Sequence, residues 1–272
     1  AAIRPVVQPV MDAEASRHPD ARHVVDDRLP AALEQGRRWL DESPRTLAEL
    51  RALFAEADPD RHAAGLAYAC RTHLPLVQVP PRGVWGRSGT VRLAHLETWT
   101  GQTAPSTTID ELALRYLGAF GPATPGDLTA WCRLTKLRPV LERLRPQLRV
   151  VLDERGRELF DVPDGPLPDP DTPAPVRLLP TFDNALLSHQ DRSRFFVPGE
   201  EIPVGIPEAR VKGTVLHDGL VVGTWRWDGD DLVATVVPRL SSGDHDDIAE
   251  EADRVRLLFD RPGRVRVETS LA

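Results

Sequence analysis

"TPGDLTAWCRLTKLRPVLERLRPQLRVVLDERGRELF" occupies residues 124–160 and carries the signals of two helices and a hairpin. Pro125 at a first helical turn favours a helix start, and a second helical segment follows over 135–148. Alternating runs on either side of the basic "ERGR" predict a hairpin with a positively charged tip. Together with a helical segment before it, over 107–121, this is the element order of a winged helix.

The same order occurs earlier in the chain. Three segments read as helices, with Ser43 as the predicted N-cap of the second and Pro44 at its first helical position. Two predicted strands, 74–80 and 90–97, flank the Gly-rich loop 81–89. A unit rebuilt after about 60 to 80 residues favours tandem winged helices over the alternative, an unrelated helical bundle. The third helix of this earlier unit is rich in apolar residues and is expected to be mainly structural.

Beyond the proline-rich stretch 163–175 the hydrophobic period changes from helical to two. Asp-Gly turns at 218–219 and 228–229 separate three predicted strands, and one helix and a last strand follow. We therefore predict an α+β protein with tandem winged-helix units followed by a small antiparallel β-barrel-like domain. The predicted boundaries are a remnant of a preceding winged-helix unit at 1–22, a winged helix at 23–104, a second with a basic third helix at 105–165, and the linker with the barrel-like domain at 166–272.

Composition limits the function classes. The net charge is −7 and the pI is near 5.7, so a nucleic-acid binder of this kind needs local basic patches. The apolar runs are too short for a membrane span. Cys70 and Cys132 lack C-x-x-C spacing and are expected to be buried free thiols, which is typical of the cytoplasm. No His and Cys cluster has ligand spacing, so we expect neither a metal nor a cofactor.

Basic residues of the second winged helix are candidate DNA contacts. The third helix of such a unit enters the major groove, and the hairpin tip usually contacts phosphate. The candidates in and before that helix are Arg133, Lys136, Arg138 and Arg143, and those at the tip are Arg155 and Arg157. The alternative is a solvated charged face, because Arg138, Glu142 and Arg145 are spaced as one stripe along a helix.

Three blocks of this sequence resemble the AlkZ-like (YcaQ-like) family of bacterial DNA glycosylases. They are "LGAFGPATPGDLTAWCRLTKLRPVLERLRPQLRVVLDERGRELFDVPD" (117–164), "PVRLLPTFDNALLSHQDRSR" (175–194) and "VKGTVLHDGLVVGTWRW" (211–227). The resemblance implies three winged-helix units and a β-barrel around duplex DNA. Members of the family excise alkylated bases, some of them as self-resistance factors against genotoxic natural products, and others repair crosslinks or have no known activity.

The family's catalytic Gln-x-Gln or Gln-x-Asp motif does not occur in these 272 residues, where every Gln is isolated and Gln190-Asp191 is an adjacent pair. The resemblance places that motif in a winged helix whose end would be residues 1–18. The catalytic residues are therefore unknown. Two hypotheses remain open, namely that residues outside this chain supply the motif or that the chain only binds DNA. On either, we expect this chain alone to release no alkylated base.

The stretch "TFDNALLSHQDRSRFFVP" (181–198) gains a role from the resemblance. His189, Arg192 and Arg194 would line a DNA-facing cleft. The alternative is that Asp183 and Asp191 pair with Arg192 and Arg194 and merely fix a loop. A hydrolytic triad of Ser188, His189 and Asp191 is excluded, because triad members converge from separate elements.

The sequence thus predicts a monomeric, cytoplasmic DNA-repair protein whose partner is double-stranded DNA, including alkylated DNA, and not a membrane. The main alternative is a winged-helix transcriptional regulator without enzymatic activity, which would dimerise and select a palindromic site. A third hypothesis is that the winged helices of this acidic chain mediate only protein contacts.

Overall fold

The computed structural model describes residues 3–103, 106–169, 171–197 and 212–269. Its helices are α1 (Arg4–Arg17), α2 (Leu29–Glu42), α3 (Leu47–Ala57), α4 (Ala63–His73), α5 (Leu96–Thr100), α6 (Ile109–Phe120), α7 (Pro125–Cys132), α8 (Arg138–Leu144), α9 (Asn184–Leu187) and α10 (Ser242–Leu258). Its strands are β1 (Leu76–Gln78), β2 (Leu93–His95), β3 (Arg149–Leu152), β4 (Glu158–Asp161), β5 (Arg177–Leu179), β6 (Gly213–His217), β7 (Leu220–Asp228), β8 (Asp231–Val236) and β9 (Val265–Thr269). The α+β class is as predicted.

The chain divides into two compact units. Unit 1 comprises Ala1–Arg115 and Cys132–Arg143, and unit 2 comprises Tyr116–Trp131 and Leu144–Ala272. The domain boundaries proposed from the sequence remain predictions. Position 170 of the proline-rich linker and Pro198 of the 181–198 stretch fall outside the described ranges.

Unit 1 contains α2, α3 and α4 followed by the antiparallel pair β1–β2, in the order that the sequence predicts. Leu40, Leu50, Phe54 and Leu66 are buried in its core. Gly36 allows α2 to lie close to α4, since a Cβ there would come within 2.3 Å of Cys70 Sγ. Buried residues of α4 share one hydrophobic core with those of α2 and α3. This agrees with the structural role expected of α4.

The predicted start of α3 is wrong. Thr46, not Ser43, is the N-cap: its hydroxyl accepts from Glu49 N at 3.1 Å, and the Glu49 carboxylate accepts from Thr46 N at 2.7 Å. This reciprocal capping box satisfies two backbone donors, whereas Ser43 is the C-cap of the preceding helix α2. The backbone of Arg45 instead pairs with that of Leu93 in a β-bridge, so the helix begins only after this residue.

Helix α1 supplies hydrogen-bond donors to the C-terminal end of α4. Side chains of Arg4 and Gln8 donate to the Thr72 carbonyl, the latter at 3.2 Å, and Arg4 also reaches the Leu74 carbonyl. Thr72 lies in the last turn of α4 and Leu74 is its C-cap, so their carbonyls have no hydrogen-bond partner within the helix. Helix α1 therefore satisfies backbone acceptors that would otherwise be left without a partner.

The β-barrel-like prediction for the C-terminal region is wrong. Unit 2 has a five-stranded mixed sheet in the order β5-β6-β7-β8-β9, and it does not close into a barrel. Strand β9 follows the crossover helix α10, so it runs parallel to β8, whereas the other neighbours are antiparallel. Ile248 of α10 packs with Val215 and Val236 in the core of this sheet, so a helix and not a second sheet covers that face.

Two other elements differ from the prediction. The helix expected over 135–148 is shorter, because α8 ends at Leu144 and a 3-10 turn with Pro146 follows. Strand β5 was not predicted, since it is only three residues long and comes directly after the proline-rich stretch. It nevertheless pairs with β6 and forms one edge of the sheet.

Candidate nucleic-acid interface

The hairpin β3–β4 of unit 2 ends in a tight basic tip, residues 153–157, which we call wing 2. Asp153 Oδ1 accepts from the backbone N–H groups of Arg155 at 2.9 Å and Arg157 at 2.8 Å. Its Oδ2 accepts from Arg157 Nε at 2.6 Å. Hydrogen bonds from Arg157 and Arg155 hold the pKa of Asp153 below its usual value. The carboxylate therefore organises the tip and partly neutralises it.

A second element of unit 2, the 188–194 loop, lies beside wing 2. Tyr116 donates its hydroxyl proton to the Ser188 carbonyl at 2.8 Å, and Gln190 N donates to Asp127 Oδ1 at 2.9 Å. Asp127 also accepts from the backbone and hydroxyl of Thr124, with which it caps the start of α7. Burial opposes ionisation of Asp127, but the hydrogen bonds from Thr124 and Gln190 outweigh it and lower its pKa. These contacts fix the loop to the second winged-helix sequence.

His189 is the buried member of the loop, with 5% of its surface exposed. Its Nδ1 lies 2.8 Å from Ser188 Oγ and 2.8 Å from Arg194 Nη2. Burial and then the positive charge of Arg194 lower the pKa of His189. The imidazole is therefore favoured in its neutral form, in which Nδ1 can accept a hydrogen bond from the arginine. His189 thus positions Arg194.

The carboxylate of Asp191 faces the wing. Its Oδ2 is 3.4 Å from Arg155 Nη1 and 3.4 Å from Arg157 Nη2. Its Oδ1 accepts from the backbone and hydroxyl of Ser193 at 3.0 and 2.6 Å, and these bonds lower its pKa. Asp191 is therefore ionised and occupies a position between two guanidinium groups.

The alternative pairing of Asp183 and Asp191 with Arg192 and Arg194 is wrong. Asp183 is the N-cap of α9 and accepts from Ala185 N at 2.8 Å, while Asp191 pairs with the wing. Helix capping and a partner from a distant strand pair satisfy these carboxylates. Among the residues described, neither carboxylate forms an ion pair with Arg192 or Arg194.

The wing and the loop enclose an open concavity of about 550 Å³ in unit 2, which we call the wing–loop concavity. Four of the residues predicted from the sequence lie along it: Arg155, Arg157, His189 and Arg194. Arg192 is not part of its lining, and its Nε is buried without a hydrogen-bond partner among the residues described. The structure thus brings the hairpin tip and the loop together but leaves one predicted contact aside.

The predicted residues before and in α8 have a different environment. Arg143 forms a bidentate ion pair with Asp110 of α6, and Arg138 lies 3.7 Å from Glu142. Arg133 and Lys136 are exposed in the turn before α8, and both adopt positive φ angles, 63° and 61°. Neither forms an ion pair within the described ranges. Two of these four cations are therefore compensated within unit 1 and two are not.

Segment 133–149 is rich in basic residues, but in the fold acidic side chains from outside the segment compensate part of its charge. Arg145 forms two hydrogen bonds to Glu158, at 3.2 and 2.9 Å, and Arg149 pairs with the buried Asp161. These acids lie on the neighbouring strand β4, so no local reading of the segment shows them.

Sequence reasoning missed two positioning residues, Tyr116 and Asp127. The Thr124-x-x-Asp127 spacing is a capping pattern and could have indicated the role of Asp127 at α7. No signal in the sequence indicates that the Tyr116 hydroxyl reaches Ser188, 72 residues away.

The cysteines are free thiols, Cys70 buried and Cys132 half-buried. Burial raises the pKa of Cys70 to about 12, so its thiol stays protonated. In the part of the chain that the structure describes, His, Cys, Asp and Glu side chains form no group of three or more that could hold a metal ion. None of the helices described is long and apolar enough to cross a membrane.

Comparison with known proteins decides the family. Residues 1–257 match the family model described as DNA glycosylase AlkZ-like. The chain belongs to this family. Membership implies DNA as the partner and DNA repair as the setting.

A solved structure has the same fold. It is the Streptomyces sahachiroi DNA glycosylase AlkZ, which matches with a TM-score of 0.73 at 21% sequence identity, over 99% of this chain and 77% of that chain. The comparison with curated proteins gave no match.

Proposed function

We propose that this chain binds duplex DNA and recognises alkylated bases in it, as a repair protein of the AlkZ-like DNA glycosylase family. The observation that carries the proposal is the wing–loop concavity, where an acidic chain gathers Arg155, Arg157 and Arg194 on one surface. Arginine binds phosphate oxygens in a bidentate manner, which suits a DNA backbone.

The geometry indicates how each arginine of the concavity contributes to phosphate binding. Arg155 and Arg157 have 68% and 48% of their side chains exposed, so a phosphate can approach them from solvent. The approaching phosphate replaces Asp191, whose ion pairs to the two guanidiniums are long, at 3.4 Å, and exposed, and are therefore weak. His189 holds Arg194, which belongs to the lining of the same concavity.

Because the rest of the chain carries a net negative charge, we expect duplex affinity to be moderate and strongly salt-dependent. Arg133, Lys136, Arg138, Arg143 and Arg192 remain proposed contacts. Arg133 and Lys136 are the stronger candidates, since the ion pairs of Arg138 and Arg143 must be weakened before either can bind phosphate.

The test is duplex binding measured by fluorescence anisotropy with two matched oligonucleotides, one carrying a single N7-methylguanine. We expect both to bind and the alkylated duplex to bind more tightly. Arg155→Ala with Arg157→Ala should weaken both, whereas Arg177→Ala with Arg254→Ala, exposed arginines of the same unit, should not.

Two results would overturn the proposal. One is the absence of duplex binding at low salt. The other is selection of a palindromic sequence with no effect of the lesion, which would favour the transcriptional regulator. Chromatography of the same samples shows whether free base is released.

A further inference from the structure

Residues 80–90, within the loop between β1 and β2 of unit 1, form a second hairpin tip, which we call wing 1. Every residue of wing 1 is exposed. Two consecutive turns shape it, with Val84 N donating to the Pro81 carbonyl at 3.2 Å and Arg87 N to the Val84 carbonyl at 3.1 Å. Gly83 and Gly86 have φ angles of 82° and 68°, which the turns require and which other residues rarely adopt.

The chemistry of wing 1 is both aromatic and cationic. Trp85 has 64% of its surface exposed and stands between Arg82 and Arg87 in the sequence. No Asp or Glu occurs between Asp60 and Glu97, although the chain contains 41 of these residues. Among the residues that the structure describes, neither Arg82 nor Arg87 forms an ion pair.

A largely exposed indole flanked by two guanidiniums without ion pairs suits a ligand that offers an apolar surface and negative charge close together. The minor groove of duplex DNA offers both, because sugars and base edges line its walls and floor, phosphates border it, and it is only about 6 Å wide. Proteins that bind this groove use arginine together with apolar side chains placed against a base step. An acidic protein surface supplies the charge but not the apolar floor.

We propose that wing 1 enters the minor groove of duplex DNA, with Trp85 against a base step and Arg82 and Arg87 on the phosphates on either side. This inference rests on the proposed function only in requiring that the chain binds duplex DNA. It assigns a DNA contact to the Gly-rich loop between β1 and β2.

The experiment compares the full chain with Trp85→Ala, Trp85→Phe and Arg82→Ala with Arg87→Ala, on one unmodified duplex. Loss of an aromatic contact to a base is worth about 1–3 kcal/mol, so Trp85→Ala should weaken binding about tenfold, and Trp85→Phe should restore most of it. The double arginine variant should lose at least as much. DNA should quench the emission of the wild type more than that of Trp85→Phe, because stacking on a base quenches an indole.

Matched controls come from the same unit. Trp99 is also exposed, at 50%, but follows Glu97 and lies outside the loop, so Trp99→Ala should leave affinity unchanged. Arg22→Ala with Arg38→Ala removes two other exposed arginines of unit 1 and should have little effect.

The outcomes separate the two proposals. If the wild type does not bind duplex DNA, the proposed function fails and the role of wing 1 fails with it. If the wild type binds and Trp85→Ala binds equally well, only the role of wing 1 is overturned. A lower melting temperature of Trp85→Ala with unchanged affinity per folded molecule also overturns it, since the indole then serves the fold.

Discussion

The two wings carry similar positive charge in opposite environments. In wing 2, Asp153 and Asp191 contact the guanidiniums of Arg155 and Arg157. In wing 1, the arginines stand in a segment without carboxylates and flank an exposed indole. Counting basic residues in the sequence therefore does not show how much positive charge a wing can offer to DNA.

This difference predicts unequal contributions to binding. A phosphate at wing 2 competes with Asp191 for Arg155 and Arg157. Part of the gain from the phosphate–arginine contacts is therefore offset by the loss of the Asp191 ion pairs. A phosphate at wing 1 displaces only water and counterions, and its full interaction contributes to affinity. We therefore expect wing 1 to contribute more, although the sequence motif drew attention to wing 2.

Charge reversal in wing 1 gives the largest expected effect. Arg82→Glu with Arg87→Glu removes two phosphate contacts and adds repulsion, so we expect a loss of about 100-fold or more in duplex affinity at low salt. Anisotropy titration measures it, and Arg22→Glu with Arg38→Glu gives the same change of net charge as the control. Equal losses in the two double variants would mean that net charge, not the wing, determines affinity.

Asp127 is the basis of the arrangement in wing 2, because it caps α7 and holds the 188–194 loop through Gln190. Asp127→Ala removes a cap and leaves a backbone donor of the loop without its partner, so the free energy of unfolding should fall by about 2–3 kcal/mol. Urea denaturation measures this, with the exposed Asp164→Ala as the control. A loss within about 0.5 kcal/mol would show that the loop is held by other contacts.

Asp191→Asn sharpens the comparison by making wing 2 resemble wing 1. Without the competing charge, Arg155 and Arg157 become available to phosphate, so duplex affinity should rise about three- to tenfold. The exposed Asp164→Asn changes the net charge equally and should change affinity much less. If both variants bind equally, Asp191 does not compete with phosphate.

His189 gives the smallest expected effect and a pH dependence. Because the folded state lowers its pKa, the unfolded state binds more protons near pH 6, and stability from this group is lost as the pH falls through the unfolded value of about 6.5. One such group changes the free energy of unfolding by at most about 1.4 kcal/mol per pH unit. His189→Gln should therefore flatten the stability profile between about pH 7 and pH 5.

Denaturation at several pH values tests this role, with the exposed His23→Gln as the control variant. An unchanged slope in His189→Gln would mean that the histidine does not titrate with unfolding.

Local signals in the sequence predicted much of the fold. The hairpin tip at 153–157 and the Asp-Gly turns at 218–219 and 228–229 all occur where turn residues separate alternating runs. Closure of the C-terminal sheet could not be read in this way, since it depends on whether β5 meets β9, strands more than 80 residues apart. The crossover through α10 makes β9 parallel and leaves both as edges.

The candidate site was predictable in composition but not in pairing. Arg155, Arg157, His189 and Arg194 were identified from the sequence, but Asp191 was paired with its neighbours in the alternative hypothesis. Its partners lie 36 and 34 residues away, across a hairpin whose position relative to the loop depends on Asp127 and Tyr116. Such tertiary pairing has no local signature.

The salt dependence of duplex affinity tests the central claim most directly. For the wild type, Arg82→Ala with Arg87→Ala, and Arg155→Ala with Arg157→Ala, the logarithm of the association constant is plotted against the logarithm of salt concentration. Each phosphate contact contributes roughly 0.9 to the slope, so the wing 1 variant should lose about 1.8 and the wing 2 variant clearly less. The absence of duplex binding at about 50 mM salt, or slopes that both variants leave unchanged, would contradict DNA binding through the wings.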